Sequence, residues 1–283
     1  MTNPLIIARD AFAERLPEQR VLLNGRDWGY VEAGSGPALL LIPGTLGRGD
    51  IFWQQITALS DRMRVIAVTY PATGGIHEWS DELAVLLDHL GIASASVLGS
   101  SLGGYVAQYF AASHPTRVDR LFAANTLHSV TGFADKMPYA LDLDAAPIAD
   151  LRAGFGQGLG GWAETHPDQA DLVELLMQEV GGRILEPELR MRLKALKTAP
   201  ELPKIGLPQD RLLTVQSDDD PLIPPEVRAG VRAHVSPTVA YRFTWGGHFP
   251  YVVRPEAYTS MLEQALGLPV SGPDWGTAQE RVL

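Results

Sequence analysis

The sequence predicts an α/β protein whose sheet is mostly parallel and covered by helices on both faces. Six short apolar runs, rich in Val, Leu, Ile and Phe, end in turn residues and have the length and composition of buried strands. In chain order the runs are ALLLIPG, RVIAVTYP, ASVLGS, RLFAANT, RLLTVQS and VAYRFTWGG. Amphipathic segments lie between several of them. Strands that alternate with helices form βαβ units, in which the crossover helices cover a parallel sheet.

A hairpin precedes the first of these runs. Residues 21–34, VLLNGRDWGYVEAG, hold two strand-like stretches around a turn near NGRD, so the sheet is expected to open with antiparallel strands. Together with the six runs this predicts eight strands. Between them, HEWSDELAVLLDHLG ends in Gly91, a residue typical of a helix C-cap, and SLGGYVAQYFAASHP ends at a proline.

The alternation breaks between the fourth and fifth runs. Residues 128–206 show no convincing strand but hold three or four helix-like stretches, among them APIADLRAGFGQGLGGW and EPELRMRLKALK. We interpret them as a helical cap inserted after strand 6 into a core of residues 1–127 and 207–283. Within the cap, GFGQGLGG is compatible with a mobile lid hinge or a loose surface turn. Residues 269–283, PVSGPDWGTAQERVL, have no clear periodicity, and we expect this tail to run over the surface.

Composition and charge exclude several classes of function. The 283 residues carry 23 basic and 33 acidic side chains, a net charge of −10, which argues against nucleic acid or an anionic membrane as the main partner. No cysteine is present, so a disulfide framework, a thiolate metal site and a cysteine nucleophile are excluded. The first residues lack the pattern of a signal peptide, and no apolar run is long enough to span a bilayer, so we expect a cytoplasmic protein without membrane insertion. The sequence implies no cofactor and no metal, and it does not indicate an oligomeric state.

The segment GSSLGG at residues 99–104 contains a candidate nucleophile. The pattern Gly-x-Ser-x-Gly fits a single register, with Ser101 between Gly99 and Gly103. In the other register Ser100 would have leucines at both glycine positions. The segment follows a strand and precedes a helix, which is the setting of a strained turn that presents a serine hydroxyl at a helix N-terminus.

Of the seven histidines, His248 is the candidate base. It stands in a glycine-rich loop directly after the last strand-like run, so it is expected at the same sheet edge as Ser101. His128 lies just past an earlier strand, where it is closer to a cap hinge than to a base position. The others are expected to be surface or structural residues: His77, His89, His114, His166 and His234.

A serine nucleophile also needs an acid that orients its base. The preceding strand ends in Asp218, Asp219 and Asp220, and only one of these carboxylates needs to reach His248. The chain order is then serine, aspartate, histidine. Two backbone amides must stabilise the oxyanion, and we expect them at Leu102, after the nucleophile, and at Thr45, in the loop PGTLGRG.

These motifs resemble those of the α/β-hydrolase superfamily over nearly the whole chain. The nucleophile segment GSSLGG, the acid loop SDDDPLIPP and the histidine loop GGHFPYVVRPEAY occur in the family's order. The resemblance places Asp220 at the acid position, with Asp219 as the alternative one residue away. Two segments depart from the family pattern: Pro43-Gly44 replaces the common His-Gly, and YPATGG replaces a common glycine-rich turn. Within the superfamily, the sequence is most similar to the maspardin-like branch, which includes a non-catalytic adaptor.

The leading hypothesis is a serine hydrolase that cleaves a carboxylic ester of a small to medium, fairly apolar small-molecule substrate. Ser101, Asp220 and His248 would be the catalytic residues. One alternative is the same fold with other chemistry, such as C–C bond hydrolysis, a lyase reaction or cofactor-free oxygenation. Another is a non-catalytic, maspardin-like binding protein. The expected pocket residues are Ser100, His128, Phe133, Met137, Phe155, Trp162 and Met177.

Overall fold

The computed structural model describes residues 3–283, and within this range nine strands form one sheet. Their order across the sheet is β1-β2-β4-β3-β5-β6-β7-β8-β9. The pairs β1·β2 and β2·β4 are antiparallel, and every other neighbouring pair is parallel. The predicted α/β class is therefore confirmed. The strands are β1 (Gln19–Leu23), β2 (Arg26–Ala33), β3 (Ala38–Ile42), β4 (Arg64–Thr69), β5 (Ala95–Ser100), β6 (Val118–Ala124), β7 (Leu212–Ser217), β8 (Val239–Phe243) and β9 (Glu280–Val282).

Helices lie along the chain between and around these strands. They are α1 (Pro4–Arg15), α2 (Trp53–Leu59), α3 (Ile76–His89), α4 (Leu102–Ser113), α5 (Ile148–Thr165), α6 (Ala170–Gln178), α7 (Glu186–Lys197), α8 (Pro225–Val235), α9 (Pro250–Val253) and α10 (Pro255–Leu266). Short 3₁₀ turns link several of them, and a π-helical turn, Glu179–Arg183, follows α6. In the described range no helix is long and apolar enough to cross a membrane.

The central strands are buried along their whole length. Every residue of β3, β5 and β7 is buried, as expected where helices cover both faces of a parallel sheet. The first strand of the hairpin, β1, is mostly exposed because it lies at the edge. This arrangement brings the carboxyl ends of β3, β5, β6, β7 and β8 to one edge of the sheet, where ligands of open α/β sheets bind.

The tail differs from its prediction. Residues 280–282 form β9, which pairs in parallel with β8, so the sheet has nine strands in place of the predicted eight. The buried Trp275 anchors the tail, because its indole N–H donates to the Ala257 carbonyl at 3.1 Å. A strand of three residues has too little alternation to be recognised in a sequence, and this one depends on its neighbour for pairing.

Residues 128–206, all within the described range, form no strand and contain α5, α6 and α7 between β6 and β7. The glycine-rich stretch GFGQGLGG is part of α5 and is neither hinge loop nor surface turn. The N-terminal helix α1 packs against this insertion. The Asn3 side chain donates to the Asp171 carbonyl at 2.8 Å, and the buried Arg9 pairs with Glu179 at 2.6 Å.

Candidate active site

Ser101 occupies a strained turn between β5 and α4. Its backbone lies at φ 56° and ψ −121°, a region that side-chain-bearing residues rarely adopt. The turn is held by its neighbours: the Ser101 amide donates to the Ala124 carbonyl at 3.0 Å, and the Thr126 hydroxyl donates to the Ser101 carbonyl at 2.6 Å. Strain that the surrounding structure enforces is typical of functional sites.

The two glycines that flank Ser101 in the motif are sterically required. A Cβ on Gly99 would lie 1.9 Å from the Gly103 carbonyl oxygen, and a Cβ on Gly103 would lie 2.1 Å from the Ile42 carbonyl oxygen. Both contacts are with backbone atoms, which cannot rotate away. The motif is therefore explained by close packing: β5, the end of β3 and the loop Pro43–Gly47 lie against the first turn of α4. We call Pro43–Gly47 the oxyanion loop, after the role expected for the Thr45 amide.

Leu102 is the first residue of α4, and no side chain caps this helix end. The N–H groups of a helix's first turn have no partner within the helix, and the helix dipole adds partial positive charge there. On the other side of Ser101, Gly44 comes close to this residue, and a Cβ on Gly44 would lie 3.0 Å from the Ser101 Cβ. Among the described residues no hydrogen bond is donated by the Thr45 N–H, so this group is available to an external acceptor.

His248 and Asp220 form a buried pair. The Nδ1 of His248 lies 2.9 and 3.0 Å from the two carboxylate oxygens of Asp220, and both side chains are at most 5% exposed. Burial works against ionisation of Asp220, but the adjacent His248 and the hydrogen bond from Asn125 outweigh it and lower its pKa. An ionised carboxylate only accepts hydrogen bonds, so Nδ1 carries the proton and Nε2 of neutral His248 keeps a lone pair.

Further hydrogen bonds fix the Asp220 carboxylate. One oxygen accepts the backbone N–H groups of Leu222 and Ile223 at 2.9 and 3.1 Å, and the other accepts the Asn125 side-chain amide at 2.9 Å. The same amide also donates to the Gly247 carbonyl at 3.3 Å, so Asn125 connects the Asp220 carboxylate to the loop that carries His248. Sequence reasoning did not identify Asn125. Its position at the end of β6, the strand beside β5 and β7, was the available signal.

The three adjacent aspartates have three different partners. Asp219 accepts the backbone N–H groups of Gly246 and Gly247 at 3.1 and 2.9 Å, whereas Asp218 pairs with Arg242 at 2.8 Å. Asp220 is thus the aspartate that hydrogen bonds to His248, and Asp219 holds the loop that carries the histidine.

Ser101 and His248 line a cavity of about 580 Å³, together with Thr45. Helices α5, α6 and α7 contribute much of its wall, and most of its side chains are apolar. Among its lining residues, all in the described range, Lys136 and His248 are the basic ones and none is acidic. Five of the seven expected pocket residues line it: Ser100, Phe133, Met137, Phe155 and Trp162.

The other two lie elsewhere. His128 packs against α8, so closely that a Cβ on Gly230 would fall 1.9 Å from its ring, and it does not line the cavity. Met177 directs its methyl group toward the α5 backbone at Gly156 and is 40% exposed. These two residues were expected in the pocket because they stand near a strand end or within residues 128–206. Position in the sequence does not fix the direction in which a side chain points.

Two tyrosines also line the cavity and were not predicted. Burial raises the pKa of Tyr139 to about 12, and burial raises the pKa of Tyr251 as well, so both phenols stay protonated at neutral pH. The Tyr139 hydroxyl lies beside Thr45, and the Tyr251 hydroxyl lies beside Ser100. Each therefore places a neutral hydroxyl, which can donate a hydrogen bond, beside a residue that lines the cavity.

A family model for the α/β hydrolase fold matches residues 37–255. The chain belongs to the α/β hydrolase family. It is 34% identical to rat (Rattus norvegicus) maspardin over 131 residues, which are 43% of this chain and 50% of that protein. The chain thus matches about half the length of this relative, and the predicted resemblance to maspardin-like proteins is confirmed.

Two further similar proteins match most of this chain. The magnesium-chelatase 30 kDa subunit of Rhodobacter capsulatus is 27% identical over 271 residues, which are 83% of this chain and 89% of that protein. The crystal structure of an enol-lactonase from Burkholderia xenovorans LB400 has a TM-score of 0.73 at 18% identity, and the match covers 88% of this chain and 100% of that chain. At this identity the structural likeness concerns the fold.

Proposed function

We propose that this protein is a serine hydrolase that cleaves a carboxylic ester through an acyl-enzyme on Ser101. The observation that carries the proposal is the shared cavity: Ser101, on its strained turn, and His248, paired with Asp220, open into the same space. Because a serine hydroxyl is a poor nucleophile alone, a neutral imidazole with a free Nε2 is the partner it requires.

In the first half of the proposed reaction, Nε2 of His248 takes the Ser101 hydroxyl proton as Oγ bonds to the substrate carbonyl carbon. The carbonyl oxygen becomes an oxyanion. The bond between that carbon and the leaving oxygen then breaks, and His248 returns its proton to the departing alcohol. Asp220 stays ionised and stabilises the imidazolium.

In the second half, His248 takes a proton from water as the water oxygen bonds to the acyl carbon. The tetrahedral intermediate collapses, the bond to Ser101 Oγ breaks, and His248 gives the proton back to serine. The carboxylic acid is released. In both halves the N–H groups of Thr45 and Leu102 stabilise the oxyanion, a contribution that is worth about 10²–10³-fold in kcat per donor in enzymes of this kind.

The cavity supports an apolar substrate of small to medium size. Phe133, Phe155 and Trp162 are among its apolar lining residues, and a volume of about 580 Å³ falls in the range of small-molecule sites. Because several of these residues come from residues 128–206, we propose that this insertion acts as a cap over a core of residues 1–127 and 207–283. No cofactor takes part in the proposed reaction.

A fluorophosphonate probe tests the nucleophile. The wild-type protein should form an adduct on Ser101, located by peptide mass spectrometry, and Ser101→Ala should abolish it. Ser100→Ala is the matched control, because it removes the neighbouring hydroxyl and should leave the adduct in place. A folded wild-type protein without an adduct on Ser101 would favour the non-catalytic binding alternative.

A series of p-nitrophenyl esters with acyl chains of increasing length tests the reaction class. Hydrolysis that requires Ser101 and His248 supports ester chemistry. If the probe labels Ser101 but no ester in the series is cleaved, a different reaction on the same fold becomes the better hypothesis.

A further inference from the structure

We propose that Arg192 is a positioning residue that holds the oxyanion loop in its active orientation. This inference rests on the proposed hydrolase function. Arg192 belongs to α7, in the insertion, whereas the oxyanion loop belongs to the core. In this role Arg192 connects the insertion to the loop that stabilises the oxyanion, and it does so without contacting the substrate.

The guanidinium binds two loop carbonyls that follow the Thr45 N–H in the chain. Its Nη1 donates to the carbonyl oxygens of Thr45 at 3.0 Å and of Gly47 at 2.7 Å. Within the loop, the Gly47 N–H donates to the Gly44 carbonyl at 3.1 Å. The carbonyls before and after the Thr45 Cα are both engaged, so both peptide planes of Thr45 have a fixed orientation.

Orientation of these planes decides whether the loop can bind an oxyanion. A peptide N–H and C=O point in opposite directions, so rotation of the Gly44–Thr45 plane would replace the Thr45 donor by a carbonyl oxygen. A third carbonyl, that of Pro43, accepts the buried Tyr70 hydroxyl at 2.8 Å. The Arg192 guanidinium lies over the same Tyr70 ring, 5.3 Å from its centroid.

Stability alone is a poor explanation for a charge at this place. Arg192 is fully buried, and its Nε and Nη2 have no hydrogen-bond partner among the described residues. The nearest carboxylate is that of Glu188, 3.6 Å away. A buried charge with incomplete partners costs folding free energy, and apolar replacements of such groups are often neutral or stabilising. The two hydrogen bonds to the oxyanion loop offer a functional explanation for this buried charge.

The test compares Arg192→Met with Arg190→Met. Arg190 lies on the same helix, and its guanidinium donates to the carbonyls of Leu143 and Ala146, away from the oxyanion loop. Rates are measured with a p-nitrophenyl ester per active site. The sites are counted by fluorophosphonate titration carried to completion, so that slow labelling does not lower the count and misfolded molecules do not contribute. We expect Arg192→Met to lower kcat about 10- to 100-fold with KM within twofold, because a displacement near 1 Å costs about 100-fold. Arg190→Met should keep kcat within twofold.

A trifluoromethyl ketone gives a second readout. Its adduct with Ser101 carries an oxyanion, so its affinity should fall in parallel with kcat/KM for Arg192→Met, an effect that a merely structural role would not produce. Arg192→Lys, which keeps the charge as a compact donor, should give an intermediate kcat.

The inference is overturned by a kcat within twofold of wild type for Arg192→Met, or by an equal loss in Arg190→Met. If Arg192→Met yields no titratable sites, Arg192→Lys decides by the same twofold criterion. Probe labelling of wild-type Ser101 is established first, so failure of the proposed hydrolase function is seen separately from failure of this inference.

Discussion

Gly103→Ala adds a single methyl group, but we expect it to displace the turn that carries Ser101. A Cβ at this position lies 2.1 Å from the Ile42 carbonyl oxygen and 2.6 Å from the Pro43 carbonyl oxygen. Ordinary contact begins at 3.4 Å, so α4 and the end of β3 must separate by about 1.3 Å. We expect about 1–3 kcal/mol less free energy of unfolding, the usual effect of overpacking. The displaced oxyanion loop should also slow fluorophosphonate labelling of Ser101 by about 100-fold.

Urea unfolding and the labelling rate measure these two effects independently. Gly160→Ala is the matched control, since Gly160 also lies in a helix, a Cβ there would meet no atom beyond its own helix within 4 Å, and the residue does not line the cavity. It should label at the wild-type rate and be up to about 1 kcal/mol more stable, because alanine favours the helix. Wild-type stability and labelling rate in Gly103→Ala would refute the steric explanation of the motif.

Three further predictions concern the acid and the cavity. Asp220→Asn should lower kcat by about 10³–10⁴-fold by losing control of the His248 tautomer, whereas Asp219→Asn, which weakens only the hold on the histidine loop, should cost about tenfold; ester kinetics on both variants tests this. Because the folded state lowers the Asp220 pKa, its contribution to stability is present above the unfolded aspartate pKa of about 3.9 and is lost as pH falls through the lower folded value. The difference in unfolding free energy between wild type and Asp220→Asn should therefore shrink between pH 6 and pH 3, and a constant difference in urea titrations would contradict this. Phe155→Ala, by enlarging the cavity, should raise the ratio of kcat/KM for decanoate over butyrate p-nitrophenyl esters by about tenfold, and an unchanged ratio would exclude Phe155 from the acyl-binding wall.

Local sequence patterns predicted the parts of this molecule that depend on local geometry. Gly99 and Gly103 identified Ser101 as the candidate nucleophile, because the close packing of a strand–turn–helix unit leaves no room for side chains at the two glycine positions. The runs of apolar residues predicted the buried strands, since parallel strands are covered on both faces. The order of strands then brought His248 and the aspartate cluster to the same sheet edge as Ser101.

Contacts between distant segments could not be predicted in this way. Arg192 meets the oxyanion loop across more than 140 positions of the chain, and nothing in the helix EPELRMRLKALK distinguishes it from Arg190, which points elsewhere. Asn125 is recognisable only once β6 is known to lie beside β7. The position of His128 also depends on a distant segment. Its ring packs beside Gly230 of α8 and so does not line the cavity.

The pairing of β9 with β8 has a consequence for how copies of this protein meet one another. An uncovered β8 would offer a row of free N–H and C=O groups next to the buried aromatic rings of Tyr241 and Phe243. Exposed strand edges of this kind recruit strands from other molecules and promote aggregation. The added strand is three residues long and carries the charged Glu280 and Arg281, so it replaces the five-residue edge of β8 by a shorter, charged one. Removing residues 279–283 should therefore increase aggregation, and this effect should be larger than any effect on catalysis.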